Sequence, residues 1–303
     1  MSHLLPAALQ RGDIIGLVGP AGPWQEETFR TGVQILSELG FQTTFPRNLL
    51  DQQGYLAGSD RHRHNTFTEI WRNPDVKAVM AVRGGYGSLR ILNEIDYDLI
   101  KEYPKILVGF SDVTALLTAI TKRTGLTTFH GPMLTTLKTS DRESVQNLFT
   151  TLCSHTPQSL KPADLEILRP GTARGRLLGG NLTTLAHLVS TPYELPWQDA
   201  ILFIEDIGEA PYRLDRMLTQ LSLAGRFDNI TGLILGTFVD CGDQEETWSR
   251  VLELFQQDIP IWANFPVGHG PRNMTLPIGS SAEMDSSSGS LIFTAPFLLS
   301  HIS

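Results

Sequence analysis

Ser111 stands where an apolar run breaks and a helical period begins, in Pro104-Lys-Ile-Leu-Val-Gly-Phe-Ser-Asp-Val-Thr-Ala-Leu-Leu. Ile106-Leu107-Val108 reads as a buried strand, Gly109 permits a tight bend, and the apolar spacing from Asp112 to Thr121 is that of an amphipathic helix. A hydroxyl on such a strand-to-helix elbow projects from the carboxyl end of a strand, beside helical N–H groups that stabilise an oxyanion. The chemistry this points to is acyl transfer by serine. The surrounding pattern is not Gly-x-Ser-x-Gly, because Val113 stands where the second glycine belongs, and a serine before a periodic apolar run is also a good N-cap. On local sequence alone both readings of Ser111 stand.

A serine nucleophile needs a base and a group that orients it. His269 lies between Gly268 and Gly270, so its imidazole is free of bulky neighbours and suits a general base. Glu205 and Asp206 follow the apolar run Ile201-Leu-Phe-Ile, where a carboxylate can orient an imidazole. The rival base is His130, in Thr128-Phe-His-Gly-Pro-Met, which also reads as a core residue; His62 and His64 lie in a polar helix and read as solvated. Arg83-Gly-Gly-Tyr-Gly ends the strand Val76 to Val82, and its adjacent glycines let backbone N–H groups approach a ligand closely. The stretch reads either as an oxyanion or substrate-backbone site or as a tight turn, and backbone N–H groups near Gly85 and Asp112 are the candidates for an oxyanion hole. Neither glycine-rich stretch, at Gly84 or at Gly16, forms a dinucleotide or phosphate loop, and no histidine spacing suits a metal, so no cofactor and no metal are expected.

These residues must be carried by elements that bring them together. Strand-like runs at Asp13–Val18, Phe41–Phe45, Val76–Val82 and Ile106–Val108 alternate with helix-like ones at Glu26–Leu39, Arg61–Asn73, Leu89–Ile95 and beyond Asp112. Such alternation implies a parallel sheet with helices on both faces, whose ligands bind at the carboxyl ends of the strands. This α/β unit takes in residues 1–138. Residues 139–169 read as a linker with a helix from Arg142 to Leu152 followed by a proline-rich polar stretch, and 170–303 as a second, smaller α/β domain.

Of the 303 residues, 41% are hydrophobic and 18% charged, ordinary for a soluble globular chain, and the net charge of −8 disfavours nucleic acid and anionic membranes. No signal peptide and no apolar run long enough to span a bilayer is read, and two cysteines are too few for a disulfide framework. A cytoplasmic setting is expected.

Seven blocks in order, Arg83-Gly-Gly-Tyr-Gly, Val108-Gly-Phe-Ser-Asp-Val-Thr-Ala-Leu, Phe129-His-Gly-Pro-Met, Leu178-Gly-Gly-Asn-Leu, Phe203-Ile-Glu-Asp-Ile, Tyr212-Arg-Leu-Asp-Arg-Met-Leu and Gly268-His-Gly, resemble the LD-carboxypeptidase family. These are the muramoyltetrapeptide carboxypeptidases, with which the microcin C7 self-immunity peptidases are grouped. The resemblance implies a flavodoxin-like parallel-sheet N-terminal domain, a smaller C-terminal one, and a Ser-Glu-His triad falling on Ser111, Glu205 and His269. It implies hydrolysis of the L,D-peptide bond before the terminal D-alanine of a murein tetrapeptide, in cell-wall recycling, or in the related branch cleavage of a peptide-nucleotide antibiotic. A non-catalytic small-ligand module is the competing class. A homodimer is among the expected assemblies. Recognition of a free C-terminal carboxylate needs a cation or donors, for which Arg83, Tyr86, Asn181 and Arg272 are the candidates.

Overall fold

The computed structural model describes residues 3–156 and 158–300. Five strands, β1 (Ile14–Val18), β2 (Gln42–Thr44), β3 (Val76–Ala81), β4 (Ile106–Gly109) and β5 (Thr128–His130), pair in parallel in the order β5-β4-β3-β1-β2. That is the flavodoxin-like order, with its switch point between β1 and β3. Strand β4 is buried throughout, and β3 throughout except at Lys77, which is why both read as continuous apolar runs. The loops after β1, β3 and β4 therefore converge at one edge.

The intervening helices are α1 (Glu26–Glu38), α2 (Asp60–Arg72), α3 (Tyr97–Glu102), α4 (Thr114–Thr124) and α5 (Arg142–Cys153). The helix expected over Leu89–Ile95 is instead a 3-10 turn at Ser88–Ile91, and α3 starts later because the Asp96 carboxylate caps it by accepting from Leu99 N at 3.0 Å. Helix α4 is not amphipathic: eight consecutive residues, Thr114 to Thr121, are buried. A helix apolar all round is one covered on all sides. Here the second half of the chain supplies the cover.

That second half is an eight-stranded mixed sheet: β6 (Ser159–Leu160), β7 (Glu166–Arg169), β8 (Thr172–Asn181), β9 (Ala200–Ile207), β10 (Gly232–Val239), β11 (Ile261–Ala263), β13 (Ser281–Asp285) and β14 (Ser290–Phe293). Strands β8, β9, β10 and β11 are parallel and the others antiparallel; helix α6 (Leu182–Leu188) packs on β8 and β9, α7 (Pro211–Leu223) packs against α6, and α8 (Gln244–Leu254) against α7. Two departures from the sequence partition stand out. The stretch read as a linker holds β6 and β7, the two edge strands of this sheet. A further strand, β12 (Leu276–Ile278), returns to the first sheet and pairs antiparallel with β5, setting Leu276 opposite His130. No described helix is long and apolar enough to cross a membrane.

Candidate active site

Ser111 follows β4 with a backbone φ of 60°. For a residue with a side chain this left-handed conformation costs on the order of 1–3 kcal/mol, and it persists only where the surroundings enforce it. The enforcement comes from buried β4 on one side and buried α4 on the other. The capping reading does not hold: neither the 3-10 turn at Ser111–Val113 nor α4 receives a side-chain cap, and Ser111 Oγ lies instead 3.1 Å from His269 Nε2.

His269 sits in the loop between β11 and β12, and that loop is braced from several directions. Its carbonyl accepts from Thr237 Oγ1 at 2.6 Å, Gly268 N donates to Asn273 Oδ1 at 3.0 Å, and Asn273 N donates to Ser144 Oγ at 2.9 Å. The edge of the Phe110 ring meets the imidazole, with centroids 5.0 Å apart. Nδ1 is 2.6 Å from Glu205 Oε2, so the Nδ1–H donates to the carboxylate and leaves Nε2 to accept from serine. Glu205 belongs to β9 and is wholly buried. Gly268, at φ 115°, makes room for it: a Cβ there would lie 2.7 Å from Glu205 Oε2. Burial works against a charged His269, but the hydrogen bond to Glu205, its negative charge and that of Asp206 outweigh it and hold the imidazole above its ordinary value of 6.5.

Across from the imidazole, Gly84 packs on the serine so closely that a Cβ would stand 3.1 Å from Ser111 Oγ. Among the described residues no acceptor meets Gly85 N–H or Asp112 N–H, and both residues line the cleft that contains Ser111. The two groups expected to hold an oxyanion thus keep their hydrogens available beside the hydroxyl. The Asp112 carboxylate points elsewhere, accepting from Ser88 N at 2.8 Å.

The remaining sequence candidates separate clearly. Arg83 and Tyr86 are exposed on the loop that carries Gly84 and Gly85. Asn181 lines the cleft but is committed: its Nδ2 donates to Asp206 Oδ1 at 2.9 Å and its Oδ1 accepts from Thr184 N at 3.0 Å, capping α6. Asp206 is buried and also accepts from Thr183 N and Oγ1. Arg272 is paired with Asp164. His130 is fully buried between Phe110 and Phe203, and among the described residues neither ring nitrogen has a hydrogen-bond partner. Burial, helped by the nearby His269, pushes it down to about 3, so it is neutral at working pH. His62 is not solvated as expected: its side chain is 12% exposed and faces Asn48 and Asp51. Among the described residues no group of His, Cys, Asp or Glu has the arrangement of a metal site.

Sequence reading missed Arg63. It is completely buried, donates to Gly87 O at 2.7 Å and to Pro20 O, and pairs with Asp60, so it fastens the loop after β3 to the loop after β1. The signal was its place on the apolar face of α2, with Thr66, Phe67 and Ile70.

Two family models match the chain: the LD-carboxypeptidase N-terminal domain over residues 15–131 and the LD-carboxypeptidase C-terminal domain over 174–284. A probable murein peptide carboxypeptidase of Bacillus subtilis is 38% identical, covering 96% of this chain and 94% of the relative. The chain belongs to the LD-carboxypeptidase family. Within that family it is also 31% identical to the microcin C7 self-immunity protein MccF of Escherichia coli, over 98% of both chains. A solved LD-carboxypeptidase relative, the muramoyltetrapeptide carboxypeptidase from Oxalobacter formigenes, superposes with a TM-score of 0.82 at 30% identity, covering 93% of this chain and 99% of that one. In this LD-carboxypeptidase the two matched regions share the candidate site, Ser111 lying in the first and Glu205 and His269 in the second.

Proposed function

We propose that this LD-carboxypeptidase is a serine peptidase, with Ser111 as nucleophile, His269 as general base and Glu205 as the group that orients and charges the imidazole. Its substrate in this reading is a murein tetrapeptide in the cytoplasm, cut at the L,D-peptide bond before the terminal D-alanine. The observation that carries it is the unbroken run of contacts from Glu205 Oε2 through His269 to Ser111 Oγ, at 2.6 and 3.1 Å, on an elbow beside two unengaged backbone N–H groups. Ser111 Oγ attacks the carbonyl carbon of the L-centre as its proton passes to His269 Nε2. The oxyanion is met by Gly85 N–H and Asp112 N–H, each such donor being worth about 3 kcal/mol. The C–N bond breaks, His269 protonates the departing D-alanine, and water repeats the sequence to release the acyl group.

The test is an assay of purified protein on a murein tetrapeptide beside an aminoacyl-nucleotide conjugate. Release of D-alanine from the first, lost on treatment with a serine-directed acylating reagent that labels Ser111, supports the proposal. An intact tetrapeptide with a cleaved conjugate selects the antibiotic-cleaving branch instead.

The pH dependence follows from the raised His269. The base works neutral, so kcat/KM falls as pH drops through a midpoint above 6.5. Folding stability moves the other way: the charged pair with Glu205 contributes fully below the unfolded value of about 6.5 and is lost as pH rises through the folded midpoint. In Glu205→Gln the acid limb shifts to lower pH, measured as the kcat/KM profile. An unmoved limb assigns it to another group.

A further inference from the structure

Two cavities flank the loop Arg83–Gly87, and their charges are opposite. One, of about 220 Å³, holds Ser111, Gly85 and Asn181 and is bordered by Asp206 and Glu209 with no lysine or arginine among its lining residues. The other, of about 370 Å³, is lined by Arg83 with Gln25, Thr28, Gln52 and Thr135 and has no acidic side chain in its lining. Arg83 directly precedes the glycine that packs on Ser111, and its guanidinium borders the same glycine as Gly85 does: a Cβ on Gly22 would lie 3.5 Å from Arg83 Nη1 and 3.6 Å from Gly85 Cα. One end of that guanidinium is already fixed, since Nη1 donates to Pro23 O. Among the described residues Arg83 has no carboxylate within ion-pair distance. The other candidates are occupied: Arg272 by Asp164, and the Asn181 amide by Asp206 and Thr184.

We propose that the Arg83 cavity binds the free carboxylate of the residue that leaves, and that Arg83 determines specificity for a carboxyl terminus. This rests on the peptidase reading of Ser111 and adds the direction in which substrate lies. A planar guanidinium anchored at one end presents its remaining N–H donors in a fork that matches a carboxylate. The acidic cleft on the other side disfavours that charge and leaves room for the acyl part of the substrate. The carboxylate is thereby directed to one side of the serine.

The experiment uses the full chain with Ser111→Ala, so that ligands bind without turnover. Dissociation constants are measured by calorimetry for a murein tetrapeptide ending in D-alanine and for the same peptide with a C-terminal primary amide. The free acid is expected to bind at least about tenfold more tightly than the amide, as for a charge-assisted contact. Adding Arg83→Gln removes that preference while leaving amide binding nearly unchanged, and Arg83→Lys keeps part of it. Absence of a preference for the acid, a preference that survives Arg83→Gln, or an equal loss for both ligands overturns the proposal. Hydrolysis by the unmodified chain is read separately and tests the peptidase reading alone, so the two failures are distinguishable.

Discussion

Replacing Ser111 by alanine should lower kcat by a factor on the order of 10⁴ to 10⁶ and leave the fold intact. Among the described residues the hydroxyl makes one hydrogen bond, the 3.1 Å approach to His269 Nε2, and caps neither of the helical segments that follow. Alanine keeps the β-carbon that sets the strain at φ 60°, so the backbone cost is the same in both proteins. The measurement is single-turnover release of D-alanine together with a thermal unfolding curve. A folded Ser111→Ala protein that hydrolyses at near wild-type rate removes serine from the mechanism.

The second large effect separates the two imidazoles His269 and His130. His269→Ala should cost kcat a similarly large factor, about 10³ or more, since proton transfer to and from Ser111 loses its carrier. His130→Ala should keep most of kcat and lose stability instead, by about 2–4 kcal/mol, the range for a cavity left in a packed core. The physical difference is access. His269 reaches both Ser111 and Glu205, whereas His130 is enclosed by Phe110 and Phe203 and held neutral by burial. Its depression to about 3 makes the fold less stable as pH falls below about 6.5, because the unfolded chain then takes up a proton that the folded one refuses. In His130→Ala this part of the acid sensitivity disappears. A dead, folded His130→Ala beside an active His269→Ala reverses the roles.

Much of this was legible in the sequence because the residues concerned follow strong local signals. Ser111 and Glu205 each follow a continuous apolar run that had to be a buried parallel strand, and His269 lies between two glycines that mark a close approach. What eluded sequence reading depends on distant partners. Arg63 looks like one more charge in a polar helix until the carbonyls of Pro20 and Gly87 are seen to surround it. Asn181 and Arg272 look like free donors until Asp206 and Asp164 are placed beside them. Strand β12 contains Pro277, which argues against a strand interior; it pairs all the same because it is an edge strand, where a missing N–H is tolerated. The amphipathic expectation for α4 failed because only the second sheet reveals which of its faces are covered.

The return of β12 to the first sheet has a consequence for how this machinery could be taken apart. The loop bearing His269 leaves β11 in one sheet and enters β12 in the other, so His269 is tethered to the sheet of Ser111 by backbone hydrogen bonds. A polypeptide severed between His130 and Glu205 yields two fragments, and the second carries a strand, β12, whose ladder partner β5 is in the first. Activity regained on mixing would then report strand complementation between the pieces, with the Ser111–His269 distance set by that ladder's register.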